Sequence, residues 1–331
     1  MDTLETVAFA RALIDIDSTT GQERAAGDWL AGQLRTRGYT VTEQPLARGC
    51  SNLLAVLDHP DVVLSTHYDC VPPFFPSGVK DGRLYGRGAC DAKGILAAQL
   101  AAAERLRLSG ERRVGLLFLV GEEHGSDGAA LANAAPAGSR YLVNGEPTDS
   151  RLATATRGVL RVKLRARGRA CHSSAPEKGV SAIDLLIDAL VCLRTLPLPA
   201  DRDLGSTSYS IGLIDGGVAP NVVSPHASAE VMFRIVGSAD AVLEALRPLR
   251  QTVAVEEVLR VPPVRLHTLP GFASAVFSFS TDVPLLDGWG TPLLFGPGSI
   301  LVAHTDEEHL SIDELAGAIG TNERIVRRLL G

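Results

Sequence analysis

The order of apolar and polar residues changes period several times along the chain, and each change predicts an element. The first 40 residues carry helical spacing: "LETVAFARALIDI" (4–16) and "RAAGDWLAGQLRTRGY" (24–39) place apolar residues three and four apart, and the second stops at Gly38. Short β-branched or leucine-rich runs follow, "SNLLAVL" (51–57) and "DVVLSTH" (61–67), separated by the turn signal "DHP". "AKGILAAQLAAAERLRL" (92–108) predicts a helix with a strongly apolar face. "RRVGLLFLVG" (112–121) is a near-continuous apolar run, as expected of a central strand covered on both faces. "SRYLVNGE" (139–146) predicts a further strand that ends in polar residues. Strands alternating with helices predict an α/β fold, a central mostly parallel sheet with helices on both faces.

After about residue 156 the texture shifts. "VLRVKLRARG" (159–168) alternates apolar and basic residues, which suits a strand with one wet face. With the amphipathic helix "VSAIDLLIDALVCLRTL", the alternating runs "STSYSIGLIDGG" and "ASAEVMFRIVG" and the helix "ADAVLEALRPLRQ", the block reads β-α-β-β-α-β, an α+β open-faced sandwich. The earlier style then returns with an apolar segment near 272–280, a strand at "TPLLFG" and a closing helix at 311–330. The expected organisation is one α/β domain formed by residues 1–156 and 265–331, interrupted by an inserted domain at 157–264.

Composition narrows the class. At 331 residues, with 45% hydrophobic and 21% charged residues, the chain suits a globular protein of about two domains. A net charge of −6 gives no reason to expect nucleic acid or a membrane surface as partner. The five cysteines (50, 70, 90, 171 and 192) form no CxxC pair and read as free thiols in a reducing compartment. The acidic, amphipathic N-terminus is not a signal peptide, and no apolar run reaches membrane-spanning length, so the expected location is cytoplasmic.

Ionisable residues gather just after the apolar strands: His67 and Asp69 in "VVLSTHYDC", Asp91 in "GRGACDAKG", Glu122 and Glu123 in "FLVGEEHG", and Glu146 in "YLVNGEPTD". His304 appears late, in "GPGSILVAHTDEEH". Each has an ordinary explanation: a histidine at a core edge, Asp91 as the N-cap of the helix behind it, Glu146 as a turn residue. Together they point to chemistry. The carboxyl ends of strands in an open α/β sheet face the ligand crevice, and adjacent carboxylates there need protons or cations. Two histidines and three carboxylates form a nitrogen and oxygen donor set suited to a pair of divalent metals, with one carboxylate able to bridge. Asp69, two residues from His67 on an extended strand, is placed to accept its imidazole N–H and orient it.

The order His-x-Asp, "GRGACDAKG", a Glu-Glu pair, "GEPT" and a late His-Thr resembles the M20 family of metal-dependent amidohydrolases and peptidases, over nearly the whole chain. The resemblance implies that the inserted domain is a lid and dimerisation domain and that the protein is a homodimer. It implies that His67, Asp91 and Glu146 hold one metal, and that Asp91, Glu123 and His304 hold the other. Zinc is the expected metal, with cobalt also suited. Glu122 would be the general base, and Asp69, orienting His67, would count among the catalytic residues. His172, in "GRACHSSAPEKG", matches the family position that holds the oxyanion, while Asn221 and Arg234 match substrate-binding positions and Gly298 stands in a loop of backbone donors. The chain departs from the family at Met232, where Asp is common, at Ser224, where Pro is expected, and at Cys70, where Thr or Val is usual.

Glu rather than Asp in "NGEPT" is similar to the acetylornithine and succinyl-diaminopimelate deacylase branch. The expectation is therefore a hydrolase of the amide bond of an N-acyl amino acid, N-acetylornithine- or N-acetyllysine-like, in arginine or lysine biosynthesis. Release of lysine or ornithine from an amino-group carrier protein is a variant of the same reading, for which "VLRVKLRARGR" offers a basic surface. The alternatives are a succinyl-diaminopimelate desuccinylase, a dipeptidase or carboxypeptidase with the same metals, and a catalytically silent binding protein.

Overall fold

Val62–His67, Val114–Leu119 and Tyr141–Asn144 run parallel and side by side at the centre of a six-stranded sheet. The computed structural model describes all 331 residues. The sheet order is Thr40–Pro45, Ser51–Val56, Val114–Leu119, Val62–His67, Tyr141–Asn144, Thr291–Leu294. The first two pairings are antiparallel and the other three parallel. Seven α-helices accompany the strands: α1 (Thr3–Ile14), α2 (Arg24–Thr36), α3 (Lys93–Leu108), α4 (Asp127–Asn133), α5 (Ala182–Leu193), α6 (Ala239–Ala245) and α7 (Ile312–Leu330).

The apolar runs are continuous because the central strands are covered twice. Val62, Leu64, Leu116, Phe118 and Val143 pack with Leu13 of α1, Leu30 of α2, Leu100 of α3 and Ile319 of α7. The alternate residues Val63, Leu117, Leu119 and Leu142 pack on the other face, with Ala129 and Ala132 of α4 and with Leu286 and Trp289. Successive side chains on a strand point to opposite faces, so double coverage demands an apolar residue at every position. Parallel direction then brings the carboxyl ends of all three strands to one sheet edge, where the ionisable residues follow.

By contact the chain divides into two units. One comprises Met1–Thr154, Leu266–Ala275 and Thr281–Gly331; the other comprises Ala155–Arg265 and Val276–Ser280. The apolar segment near 272–280 is thus divided between them, and only Ser274–Phe277 of it is strand. The second unit has the order β-α-β-β-α-β. Its antiparallel sheet is ordered Ser208–Gly216, His226–Ile235, Gly158–Arg167, Ala254–Val261. Leu160, Val162, Leu164, Val231 and Phe233 pack against Leu186 and Leu193 of α5 and Val242 of α6. The intervening residues Arg161, Lys163, Glu230 and Arg234 project from the face the helices leave uncovered. No helix is long and apolar enough to cross a membrane, and all five cysteines are free.

Phe118 is fully buried in the doubly covered strand. Phe118→Ala should destabilise the protein by about 3–5 kcal/mol through lost burial and an unfilled cavity, read as a lower urea midpoint.

Candidate metal and catalytic centre

His67 closes its strand with a fully buried ring. Its Nδ1 lies 3.0 Å from the backbone oxygen of Asp69 and 3.5 Å from the Asp69 carboxylate. A carbonyl oxygen can only accept, so Nδ1 carries the proton and Nε2 is presented forward, 3.0 Å from Oδ1 of Asp91. Asp69 has a second task. Its carboxylate accepts the backbone N–H groups of Glu122 at 3.3 Å and Glu123 at 3.1 Å, so one buried side chain orients the histidine and anchors the glutamate pair.

Asp91 does not cap the helix behind it. The N-cap of α3 is Ala92, without a side-chain capping bond, and Asp91 turns its carboxylate toward the histidines instead. One oxygen meets His67, and the other lies 3.3 Å from Nε2 of His304. That is the disposition of a bridging carboxylate. The loop that presents it is held by Glu308, a buried residue with no local signal in its own stretch of sequence. Oε1 of Glu308 accepts the backbone N–H groups of Gly88 (3.0 Å), Cys90 (3.1 Å) and Asp91 (3.1 Å), while Oε2 pairs with Arg87 at 2.6 Å. Gly298 packs in the same place: with φ at +82°, a Cβ there would collide with Sγ of Cys90, and its carbonyl accepts the N–H of Asp149 at 2.8 Å.

Glu122 and Glu123 stand on a single 3-10 turn, Glu122–His124, and not on extended strand. Gly121 (φ +81°) and Gly125 (φ +94°) bracket it in the left-handed region. The pair diverges because a helical turn rotates successive side chains, not because a pleat alternates them. Glu123 Oε1 lies 2.8 Å from Nε2 of His304, which itself has a φ of +64°. Donor atoms of His67, Asp91 and Glu123 fall within 4.8 Å of one another. Glu146 is buried, and its Oε1 has no hydrogen-bond partner.

These features fit divalent metals. The donors are imidazole nitrogen and carboxylate oxygen, one carboxylate bridges two histidines, and a buried carboxylate oxygen lacks any proton donor. The electrostatics of the bare chain agree. Burial pushes Glu122 and Glu146 well above the usual carboxylate range, and neighbouring carboxylates add to the push. Glu123 is raised by burial, with Asp91 adding. Asp282, buried and also missed in the sequence, is pushed up to about 6 by burial. Burial opposes the charge on His67, but the hydrogen bonds its ring donates to Asp69 and Asp91 prevail and hold it well above its ordinary value. His304 is raised to about 10 by its hydrogen bonds to Asp91 and Glu123. Only Asp91 is lowered: burial acts upward, but the two histidine hydrogen bonds outweigh it. Protons stand where cations would otherwise balance the charge.

The other predicted residues lie in the second unit. Nδ1 of His172 accepts the backbone N–H of Ser174 at 3.2 Å, which leaves the ring proton on Nε2 as a donor. The carbonyl of Asn221 accepts the N–H of Ser173 at 3.0 Å, so these two loops are tied together. Arg234 lies half-buried on the uncovered sheet face, in the row of Ser208 and Val159.

Comparison with known proteins places the chain among relatives. The profile of peptidase family M20/M25/M40 matches residues 63–328. A peptidase M20 domain-containing protein of Schizosaccharomyces pombe is 33% identical, the alignment covering 97% of this chain and 84% of that relative. A probable carboxypeptidase of Aspergillus clavatus is 35% identical over 98% of this chain and 82% of its own length. In fold, the chain is similar to the crystal structure of aminopeptidase PepT from Bacillus cereus, with a TM-score of 0.84 at 22% identity and 100% coverage of both chains.

The proton linkage has a definite sign. Glu122, Glu123 and Glu146 bind protons more tightly folded than at the reference value of 4.5, and His67 and His304 more tightly than at 6.5. Their stabilisation is complete below those values and is lost as pH rises through the folded ones; Asp91 acts oppositely, but only below about 3.8. The metal-stripped protein should therefore lose thermal stability steadily from about pH 4.5 toward 10, and added zinc should flatten the decline. A stripped protein whose unfolding temperature holds level across that window would contradict the assignment.

Proposed function

The chain belongs to peptidase family M20/M25/M40, and from that premise we propose that it hydrolyses the amide bond of an N-acyl amino acid whose carboxylate is free. The observation that carries the reading is the division of labour in the turn Glu122–His124: Glu123 is bonded to His304 beside Asp91, while Glu122 takes part in no such pairing.

His67, Asp91 and Glu146 would hold one divalent cation, and Asp91, Glu123 and His304 a second. Such ions, when bound, supply Lewis-acid polarisation of the amide carbonyl and activation of water. The chain supplies the rest. Glu122 takes a proton from the attacking water at its carboxylate and delivers it to the leaving amine nitrogen. Asp69 keeps the His67 proton on Nδ1 and holds both glutamate N–H groups, so the base and the ligand beside it share one anchor. Nε2–H of His172 is a donor suited to a developing oxyanion, and the Arg234 guanidinium to a substrate carboxylate. Glu146 favours an N-acyl amino acid such as N-acetylornithine or N-acetyllysine, free or joined to a carrier protein. The carboxypeptidase description of relatives such as that of Aspergillus clavatus favours a second reading, cleavage before the C-terminal residue of a short peptide.

Glu122→Ala should lower kcat by about 10²- to 10⁴-fold while metal content stays unchanged. The assay is a panel of N-acetylornithine, N-succinyl-diaminopimelate, dipeptides and carrier-linked lysine on metal-loaded protein; wild-type turnover of none of them, or full activity in the variant, contradicts the proposal.

A homodimer through the second unit belongs to the same reading. Ile183, Ile187 and Val191 repeat every four residues along α5 and are 37–55% exposed. Leu213 and Ile214, on the edge strand Ser208–Gly216, are 63% and 64% exposed. Ile187→Asp should convert a dimer into a monomer in light scattering coupled to size exclusion, with the fold retained.

A further inference from the structure

The uncovered sheet face of the second unit carries a row of basic residues whose charges are not all balanced. Lys163 bonds Glu230 at 3.2 Å, and Arg165 bonds Glu256 at 2.7 Å. Three arginines on that face have no such partner; Arg167 is exposed at the strand end, and the other two are not. Arg161 is half-buried, makes no ion pair, and its Nε is shut off from solvent with no acceptor. Arg234 is half-buried, and burial alone pulls its guanidinium below the ordinary value, with no carboxylate to oppose it.

Register explains the imbalance. Arg161 faces Met232 on one side and Leu259 on the other. Arg234 faces Val159 and Ser208, and Ser210 stands opposite Met232. Every directly opposed position is apolar or a hydroxyl. The pairs Val159–Arg234 and Arg161–Met232 are successive on one face, which makes the two arginines diagonal neighbours, about 7–8 Å apart at Cα. The acid diagonal to Arg161 on its other side, Glu230, is already bonded to Lys163. A desolvated guanidinium without an acceptor is costly, and two of them side by side repel, so the arrangement calls for an anion that reaches both.

We propose that Arg161 and Arg234 form one anion site that takes a dicarboxylate, so that the substrate carries a second carboxylate beside the one held by Arg234. This rests on the reading of Arg234 as the arginine for the substrate carboxylate. It makes Arg161 a specificity-determining residue and turns the reading away from N-acetylornithine and N-acetyllysine, whose side chains are cationic, toward acyl amino acids or peptides whose released residue carries a second carboxylate. Ser208 and Ser210 add hydroxyl donors along the same face.

Two measurements test it. Wild type, Arg161→Met and Arg234→Met are compared on N-acetyl-L-glutamate and N-acetyl-L-alanine. Arg161→Met should raise KM for the glutamate derivative about 10- to 100-fold and leave the alanine derivative unchanged, while Arg234→Met should impair both. Arg161→Lys should recover part of the loss. Equal effects of Arg161→Met on the two substrates overturn the proposal. Independently, glutarate is titrated calorimetrically into each protein; binding to wild type that both methionine variants abolish supports the site, and absent binding or binding that survives Arg161→Met overturns it. Should neither these two derivatives nor any member of the panel above be hydrolysed while glutarate still binds through both arginines, the hydrolase reading fails and the anion site stands.

Discussion

Several acidic side chains cannot share one dry crevice unless positive charge is brought among them. That constraint organises the unit built on the parallel strands. Parallel strands deliver His67, the Glu122–Glu123 turn and Glu146 to the same sheet edge, and the interior there supplies no lysine or arginine to neutralise them. Two buried cations flanking Asp91 in the chain are committed elsewhere: Arg87 to Glu308, and Lys93 to the backbone oxygens of Leu13 and Ile16 at 3.1 and 2.8 Å. The bare chain answers with protons, on raised glutamates and on two histidines. An exchange of those protons for divalent ions would change the charge without changing the scaffold, because the donors are already gathered.

Around this core, hydrogen bonds from backbone to carboxylate set the precision. Asp69 fixes one loop and Glu308 the other, and both act on main-chain N–H groups rather than on the reacting side chains. Peptide groups move less freely than side chains, so an error of placement at Asp91 or Glu123 would have to distort a loop. Rigid presentation of ligands by their neighbours is what a multi-residue metal site requires.

Much of this was legible before any coordinates. The double coverage of Val114–Leu119 shows in its unbroken apolar run, and the wet face of Gly158–Arg167 in its alternation. The candidate ligands His67, Asp91, Glu123 and His304 came from order and residue type, and the structure brings them together. Other features had no local signal. Glu308 is one acid among several in "TDEEH", and only a contact with residues more than two hundred positions earlier gives it a role. Asp282 sits in a loop without periodicity. The Glu-Glu pair was legible as following a strand, but not the 3-10 turn that carries it, which depends on two flanking glycines of positive φ. Arg161 looked like one member of a solvated basic stripe until register showed which of its neighbours were already paired.

The bond from Glu308 to the 87–91 loop carries a consequence for synthesis. A ribosome makes the His67, Asp91 and Glu146 segments first, then the whole second unit, and only afterwards the segment with His304 and Glu308. Until that late segment emerges, the Asp91 loop lacks its clamp and the centre lacks one histidine. Contacts of such long sequence separation form slowly and late. The candidate centre can therefore assemble only after the second unit has been synthesised, because one of its histidines and the clamp of its bridging carboxylate both follow that unit in the chain.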